Sequence, residues 1–155
     1  MKVITLISVG SIKENYLKDC IKEYLKRLSK YCQVNIIEVP DKSIGNDLNK
    51  VIKEEGEEIL KKIPANSYVV CCDGKGKMLD SLGFAKKIDE IYSFYSMNIC
   101  FIIGGSLGLS PKVLEKADFI FSFSPLTFTH QFAKIILLEQ IYRAFKINNH
   151  EVYHK

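Results

Sequence analysis

Strand-like and helix-like stretches take turns along this chain, and that alternation restricts its fold more than any other feature. Lys2–Val9, Gln33–Val39, Ser67–Asp73, Asn98–Ile103 and Phe119–Phe123 are short apolar runs bounded by glycine, proline or polar residues. Between them, apolar residues recur three and four apart. Leu17, Cys20, Ile21, Tyr24, Leu25 and Leu28 form one such stripe, and Leu48, Val51, Ile52, Ile59, Leu60 and Ile63 form the next. Ser81–Tyr95, a short helix capped by Ser110 with Pro111 in its first turn, and Gln131–Ile147 complete the set. Strands alternating with helices make the class α/β, a mostly parallel sheet flanked by helices. The expectation is one domain over 1–155, long enough for a substantial core.

Local signals set the expected boundaries. Ser11 with Glu14 three residues on reads as a capping box, opening a helix that runs to about Tyr31. Asn46 or Asp47 caps the second helix, which Pro64 ends and Gly56 weakens by about 1 kcal/mol relative to alanine. Asp73-Gly74-Lys75-Gly76-Lys77 reads as a turn-rich loop, with a tight exposed turn and a binding role both open. The last helix differs from the others. Phe132, Ile135, Ile136, Leu137, Leu138, Ile141, Tyr142 and Phe145 cover more than one stripe, so it is expected to be buried from two sides. Another subunit is the expected second side, which predicts a homodimer.

Charge and cysteines exclude little. A net charge of +4 is compatible with RNA without indicating it. The five cysteines have no C-x-x-C spacing and read as reduced, mostly buried thiols of a reducing compartment. Val3–Val9 runs into Gly10 without a cleavage pattern, and no stretch reaches the ~18 apolar residues of a membrane span. The expected location is cytoplasmic, with no membrane partner.

Two loops leave the carboxyl ends of predicted strands, the edge at which α/β sheets bind ligands. These are Gly104-Gly105-Ser106-Leu107-Gly108 and Ser122–Phe128, with Pro125 at the centre of the second. If strands three, four and five are neighbours, their loops converge on one pocket whose backbone groups suit an adenine and a ribose. There is no Rossmann fingerprint or P-loop, no metal-ligand spacing and no nucleophile elbow. Of the three histidines, His130 suits a helix cap, His150 a solvated tail, and His154 lies between Tyr153 and Lys155 in a polar cluster that no core needs. Glu139 and Arg143 are four apart, as an intrahelical pair or with Arg143 facing an anionic ligand.

Taken together, these segments resemble a known family. Ile103–Ser110, Leu126-Thr127-Phe128-Thr129-His130, Glu139-Gln140-Ile141-Tyr142-Arg143-Ala144 and Tyr153-His154-Lys155 are similar to the SPOUT-class ribosomal RNA large subunit methyltransferase H family. Val9-Gly10 before a lysine-rich helix and Ile36-Ile37-Glu38-Val39-Pro40 match as well, so the resemblance covers the whole chain. It implies a C-terminal trefoil knot, a homodimer and S-adenosylmethionine as methyl donor. It further implies methylation at N3 of a pseudouridine in 23S rRNA on assembled 70S ribosomes. By the same resemblance, Cys72, Gly104, Phe123, Ser124, Pro125, Leu126, Thr127 and Phe128 line the cofactor. Arg143, Tyr153, His154 and Lys155 form the active site, and no metal takes part. Cys72 stands where the family usually has an aliphatic residue, and Lys155 replaces the family's alternative arginine, keeping charge but losing a bidentate fork. His154 is then either the general base or a hydrogen-bonding partner of the uracil edge while water takes the proton. A SPOUT enzyme acting on tRNA and a non-catalytic ribosome-binding protein are the alternatives. The absence of an appended RNA-binding domain from these residues favours the ribosome.

Overall fold

The computed structural model describes residues 1–155 apart from Ile44 and Asn46. Its elements are β1 (Val3–Val9), α1 (Asn15–Leu28), β2 (Gln33–Val39), α2 (Leu48–Lys62) and β3 (Tyr68–Met78), followed by α3 (Ser81–Phe94), β4 (Asn98–Ile103), α4 (Pro111–Lys116), β5 (Phe119–Ser122) and α5 (His130–Asn148). The strands form one sheet in the order β2-β1-β4-β3-β5, and every pairing is parallel. β3, β4 and β5 are therefore contiguous, which brings residues 72–74 of β3 beside the loops that follow β4 and β5.

Successive residues of a strand point to opposite faces, so a sheet covered on both sides needs apolar residues at nearly every position. Ile4 and Leu6 of β1 and Ile99, Phe101 and Ile103 of β4 face one core, built with α1, α3 and α5. Ile7, Val9, Cys100 and Ile102 face the other, built with α2 and α4. β1 and β4 are buried at nearly every position for this reason, whereas the edge strand β2 carries Gln33, Asn35 and Glu38.

Several local expectations change. The capping box does not form: Glu14 holds the cap position of α1 without a side-chain bond, and Ser11 is exposed. Ile12 between them is buried, and the first turn is closed instead by the Leu17 and Lys18 amides bonding to the Glu14 carbonyl. The helix stops at Leu28, whose carbonyl takes the amides of both Tyr31 and Cys32 in the turn that leads to β2. Asp47 caps α2, its Oδ1 accepting from the Lys50 amide at 3.1 Å; the alternative cap, Asn46, lies outside the described residues.

The predicted loop 73–77 belongs to β3. Cys72 and Lys77 both stand opposite Phe121, so residues 73–76 bow out of the ladder as a bulge. Gly76 permits this, because a Cβ there would lie 2.6 Å from the carbonyl carbon and oxygen of Ile120. Gly56 has a similar reason to be in a helix: it lets α2 pack directly on the start of α4, where a Cβ would lie 2.4 Å from Ser110 Oγ.

α5 has no exposed residue from 133 to 148. Within this chain it lies on the sheet between α1 and α3, so both flanks of its wide apolar surface already have neighbours. The apolar breadth that pointed to a partner is thus largely accounted for inside one protomer. Among the described residues no helix is long and apolar enough to cross a membrane.

Candidate active site

The bulge within β3 and the loops after β4 and β5 enclose a cavity of about 660 Å³ at the carboxyl end of the sheet. Cys72, Gly104, Phe123, Ser124, Leu126, Thr127 and Phe128 all line it. Pro125, in the same segment, is exposed and is not among the lining residues. Asp73, Gly74, Gly105, His130 and Gln131 complete much of the wall. Sequence reasoning did not single them out as ligand contacts, although most lie in the loops it had marked.

The glycine loop is a tight hairpin-like turn. The Gly108 amide bonds to the Gly105 carbonyl at 3.1 Å, and Gly108 has φ +86°. A Cβ on Gly104 would approach the Gly108 carbonyl carbon to 2.9 Å, so only glycine lets the loop close this far. Behind it, Glu55 of α2 is buried, with Oε2 accepting from the Lys42 amide at 2.9 Å. Burial pushes this carboxyl above the usual range, and neighbouring Asp41 adds to the effect.

At the far wall, Thr129 rather than His130 caps α5, its Oγ1 accepting from the Phe132 amide at 3.3 Å. His130 instead packs on the end of β1: its Nε2 lies 2.8 Å from where a Cβ on Gly10 would sit. Gly10, at φ +87°, therefore makes room for the imidazole. Gln131 Oε1 is buried with no hydrogen-bond partner among the described residues. A free acceptor in the wall of a cavity framed by backbone loops fits a ligand with amino or hydroxyl donors, as adenosine has. Cys72 acts as wall rather than nucleophile, because burial pushes its thiol far up.

The polar tail is built on different elements. α5 ends in a Schellman turn: the His150 amide bonds to the Ile147 carbonyl, the Glu151 amide bonds to the Lys146 carbonyl, and His150 has φ +57°. The turn sends the chain back along its own helix. Glu151 fixes it there, accepting from Tyr31 Oη and from Lys146 Nζ at 2.7 and 2.8 Å. Those two bonds hold its carboxyl at about 2, well below the ordinary value. Tyr153 then packs edge-on against Tyr142, with ring centroids 5.0 Å apart.

Glu139 is the hub of this cluster. Its Oε1 accepts from Arg143 Nη2 at 2.8 Å and from Tyr153 Oη at 3.0 Å, and its Oε2 accepts from Gln140 Nε2 at 2.8 Å. Arg143 stacks over the Tyr153 ring at 4.7 Å and reaches His154 Nδ1 through Nη1 at 3.1 Å. Burial and Glu139 both raise the Tyr153 phenol, which stays neutral, and Glu139 raises Arg143 further. Lys155 is exposed beyond them.

The tail does not lie beside the cavity of its own chain. Arg143 is 13 residues along α5 from His130, a rise of ~20 Å. Arg143, Tyr153, His154 and Lys155 are absent from the cavity wall. No group of three metal-ligating side chains occurs among the described residues.

A family model described as "Predicted SPOUT methyltransferase" matches residues 1–154. The chain belongs to the SPOUT methyltransferase family. As a member, it is a methyltransferase. It is 53% identical to the ribosomal RNA large subunit methyltransferase H of Halothermothrix orenii, over 98% of this chain and 99% of that protein. Identity and coverage are the same for the Carboxydothermus hydrogenoformans protein of that name. A putative ribosomal RNA large subunit methyltransferase H from Methanococcus vannielii is 50% identical over the same span. A solved structure, a probable methylase family protein from Haemophilus influenzae, shares the fold with a TM-score of 0.58 at 13% identity, over 98% of this chain and 70% of that one.

Proposed function

We propose that this protein transfers a methyl group from S-adenosylmethionine to N3 of a pseudouridine in 23S rRNA, on assembled 70S ribosomes and as a homodimer. The observation that carries the reading is 53% identity, over nearly the full length of both chains, to relatives named for methylation of large-subunit ribosomal RNA. Bound S-adenosylmethionine would supply a methyl group on a positively charged sulfonium. The loop at Gly104 and the segment Phe123–Phe128 would hold the donor, with Gln131 Oε1 taking one of its N–H or O–H groups.

The residues of the tail can only position the base and manage its proton. Arg143 is always protonated and has only donors, so at 3.1 Å it donates to His154 Nδ1. A neutral His154 therefore carries its proton on Nε2, where it donates rather than accepts. This supports the second of the two roles considered for His154: it holds a carbonyl of the uracil ring while water takes the imide proton. Arg143 stands next to that carbonyl and stabilises negative charge developing on the imide. Tyr153, neutral and bonded to Glu139, keeps the tail in register, and exposed Lys155 suits a phosphate.

The ~20 Å between cavity and tail along α5 supports a site completed across a homodimer, in which one protomer's tail meets its partner's cavity. Leu126, Phe132, Leu82 and Met78 are more than half exposed and supply apolar surface for such a contact. The trefoil knot belongs to the same reading. Support for it comes from the path of residues 123–129, which lead from β5 at one edge of the sheet to α5 against Gly10 at the end of β1. A ribosomal substrate places the enzyme in the cytoplasm.

The test is methyl transfer from labelled S-adenosylmethionine to 70S ribosomes, isolated subunits and bulk tRNA from a strain lacking the protein. Label in 23S rRNA from 70S particles only is the expected result. Label in tRNA overturns the substrate, and neither label nor cofactor binding leaves a ribosome-binding protein without catalysis.

A further inference from the structure

We propose that the cleft between α1 and β2 is a second RNA subsite, binding a backbone phosphate of the strand that carries the target base. The inference rests on the proposed rRNA substrate. The cleft holds about 250 Å³ and has Ile12, Ile21 and Ile36 as apolar walls. Three lysines, Lys18, Lys22 and Lys134, face a single carboxylate, Glu38, around it.

Lys134 is the unusual member. It is 1% exposed, although lysine is almost never fully buried unless it is paired. Its Nζ lies 3.3 Å from Glu38 Oε2, and the Glu38 side chain is 44% exposed. The fold could satisfy its core at this position with an apolar residue. What the buried ammonium does is neutralise Glu38 from below. Lys18 and Lys22, one helical turn apart and exposed, make no ion pair among the described residues and are left as net positive charge over apolar walls. Low-dielectric walls concentrate such a field, which suits a phosphodiester.

The cleft is placed to take that phosphate. His130 lines the large cavity and Lys134 lines the cleft, one turn of α5 apart, a rise of ~6 Å. Gly10, packed on His130, leads directly into Ile12 of the cleft wall. An RNA strand that presents a base at the cavity passes its backbone over Lys18 and Lys22. Lys134 is a positioning residue, acting through Glu38 rather than on the RNA.

The test is steady-state methylation of 70S ribosomes by the full-length protein across a potassium chloride series, with S-adenosylmethionine affinity measured separately. K18Q/K22Q should raise KM for ribosomes about tenfold with kcat and cofactor affinity within twofold, and reduce the slope of log(kcat/KM) against log[salt] by about 0.7–0.9, as loss of one neutralised phosphate predicts. K134M should raise KM by exposing the charge of Glu38, and E38Q/K134M should restore it, a rescue that a purely structural role for Lys134 would not give. Unchanged KM and salt slope in K18Q/K22Q overturn the inference while leaving the proposed function intact, and so does E38Q/K134M with KM still raised. A wild-type protein that methylates no rRNA refutes the proposed function and this inference with it.

Discussion

Replacing Gly56 with alanine separates local propensity from packing, because the two predict opposite signs. Gly56 lies inside α2, where alanine is favoured by about 1 kcal/mol. A Cβ there would sit 2.4 Å from Ser110 Oγ, 3.0 Å from Ser110 Cβ and 3.5 Å from Val113 Cγ2. Ser110 is buried and caps α4, its Oγ accepting from the Val113 amide at 3.3 Å. Rotating the hydroxyl away removes the close contact but gives up the cap, at about 1 kcal/mol. The Cβ–Cβ approach of 3.0 Å remains, and forcing α2 and α4 apart adds about 1–2 kcal/mol. The propensity gain offsets only part of this. Gly56→Ala should therefore be destabilised by about 1–2 kcal/mol, lowering Tm by about 2–8 °C in a chain of this size.

Thermal and urea unfolding of three variants test the reasoning. Ser110→Gly alone should cost only a few tenths of a kcal/mol, since glycine is a tolerable cap. In that background Gly56→Ala meets neither the hydroxyl nor the Ser110 Cβ, and should be neutral or stabilising by up to about 1 kcal/mol. Gly56→Ala with a Tm above that of the wild type would refute the packing argument. So would an equal loss in both backgrounds.

Other outcomes follow from the tail and the sheet. His150→Gly should raise Tm by about 2–4 °C, because an L-residue in the left-handed position of the Schellman turn costs about 1 kcal/mol. Glu151 has a depressed carboxyl, so its contribution to tail docking is present above the ordinary value of ~4.3 and is lost as pH falls through about 2. Amide exchange of residues 150–155 should accelerate over that window, and Glu151→Gln should flatten the response. His154→Ala should abolish methyl transfer and leave cofactor affinity within twofold, as measured by calorimetry; wild-type turnover would remove the tail from the active site. Gly76→Ala should lose folding or cofactor binding outright, because the backbone of β5 at Ile120 cannot move 2.6 Å contacts aside without unpairing from β3.

Where hydrophobic pattern and chain punctuation act locally, the sequence sufficed. β4 at Asn98–Ile103 and α4 with its Ser110 cap and Pro111 stand where pattern reading puts them. Reading failed where a distant contact decides. Ser11 has the right neighbour for a capping box, but burial of Ile12 moves the start of α1 beyond it. Gly74 and Gly76 look like turn residues, yet Gly76 is there because β5 passes against it. The apolar breadth of α5 was legible, but not that α1 and α3 both pack on it within one chain. Sequence spacing carries no information about any of these, since each partner is far along the chain.

The candidate site divides along the same line. Its cavity is made by loops, so glycine and proline mark it in the sequence, and the contiguity of β3, β4 and β5 then brings the marked segments together. The tail is made by side chains whose meaning depends on where α5 returns them. Tyr153 and His154 acquire partners only because the turn at His150 sets them beside Glu139 and Arg143. That geometry also limits the chemistry: a guanidinium donating to Nδ1 leaves His154 with a proton to offer rather than a lone pair to use. A rigid helix separates these groups from the cavity, and no loop movement within one protomer shortens α5. If the tail and the donor act on one base, the enzyme must therefore be at least a dimer. An active monomer would disprove the joint site even if every residue assignment survived.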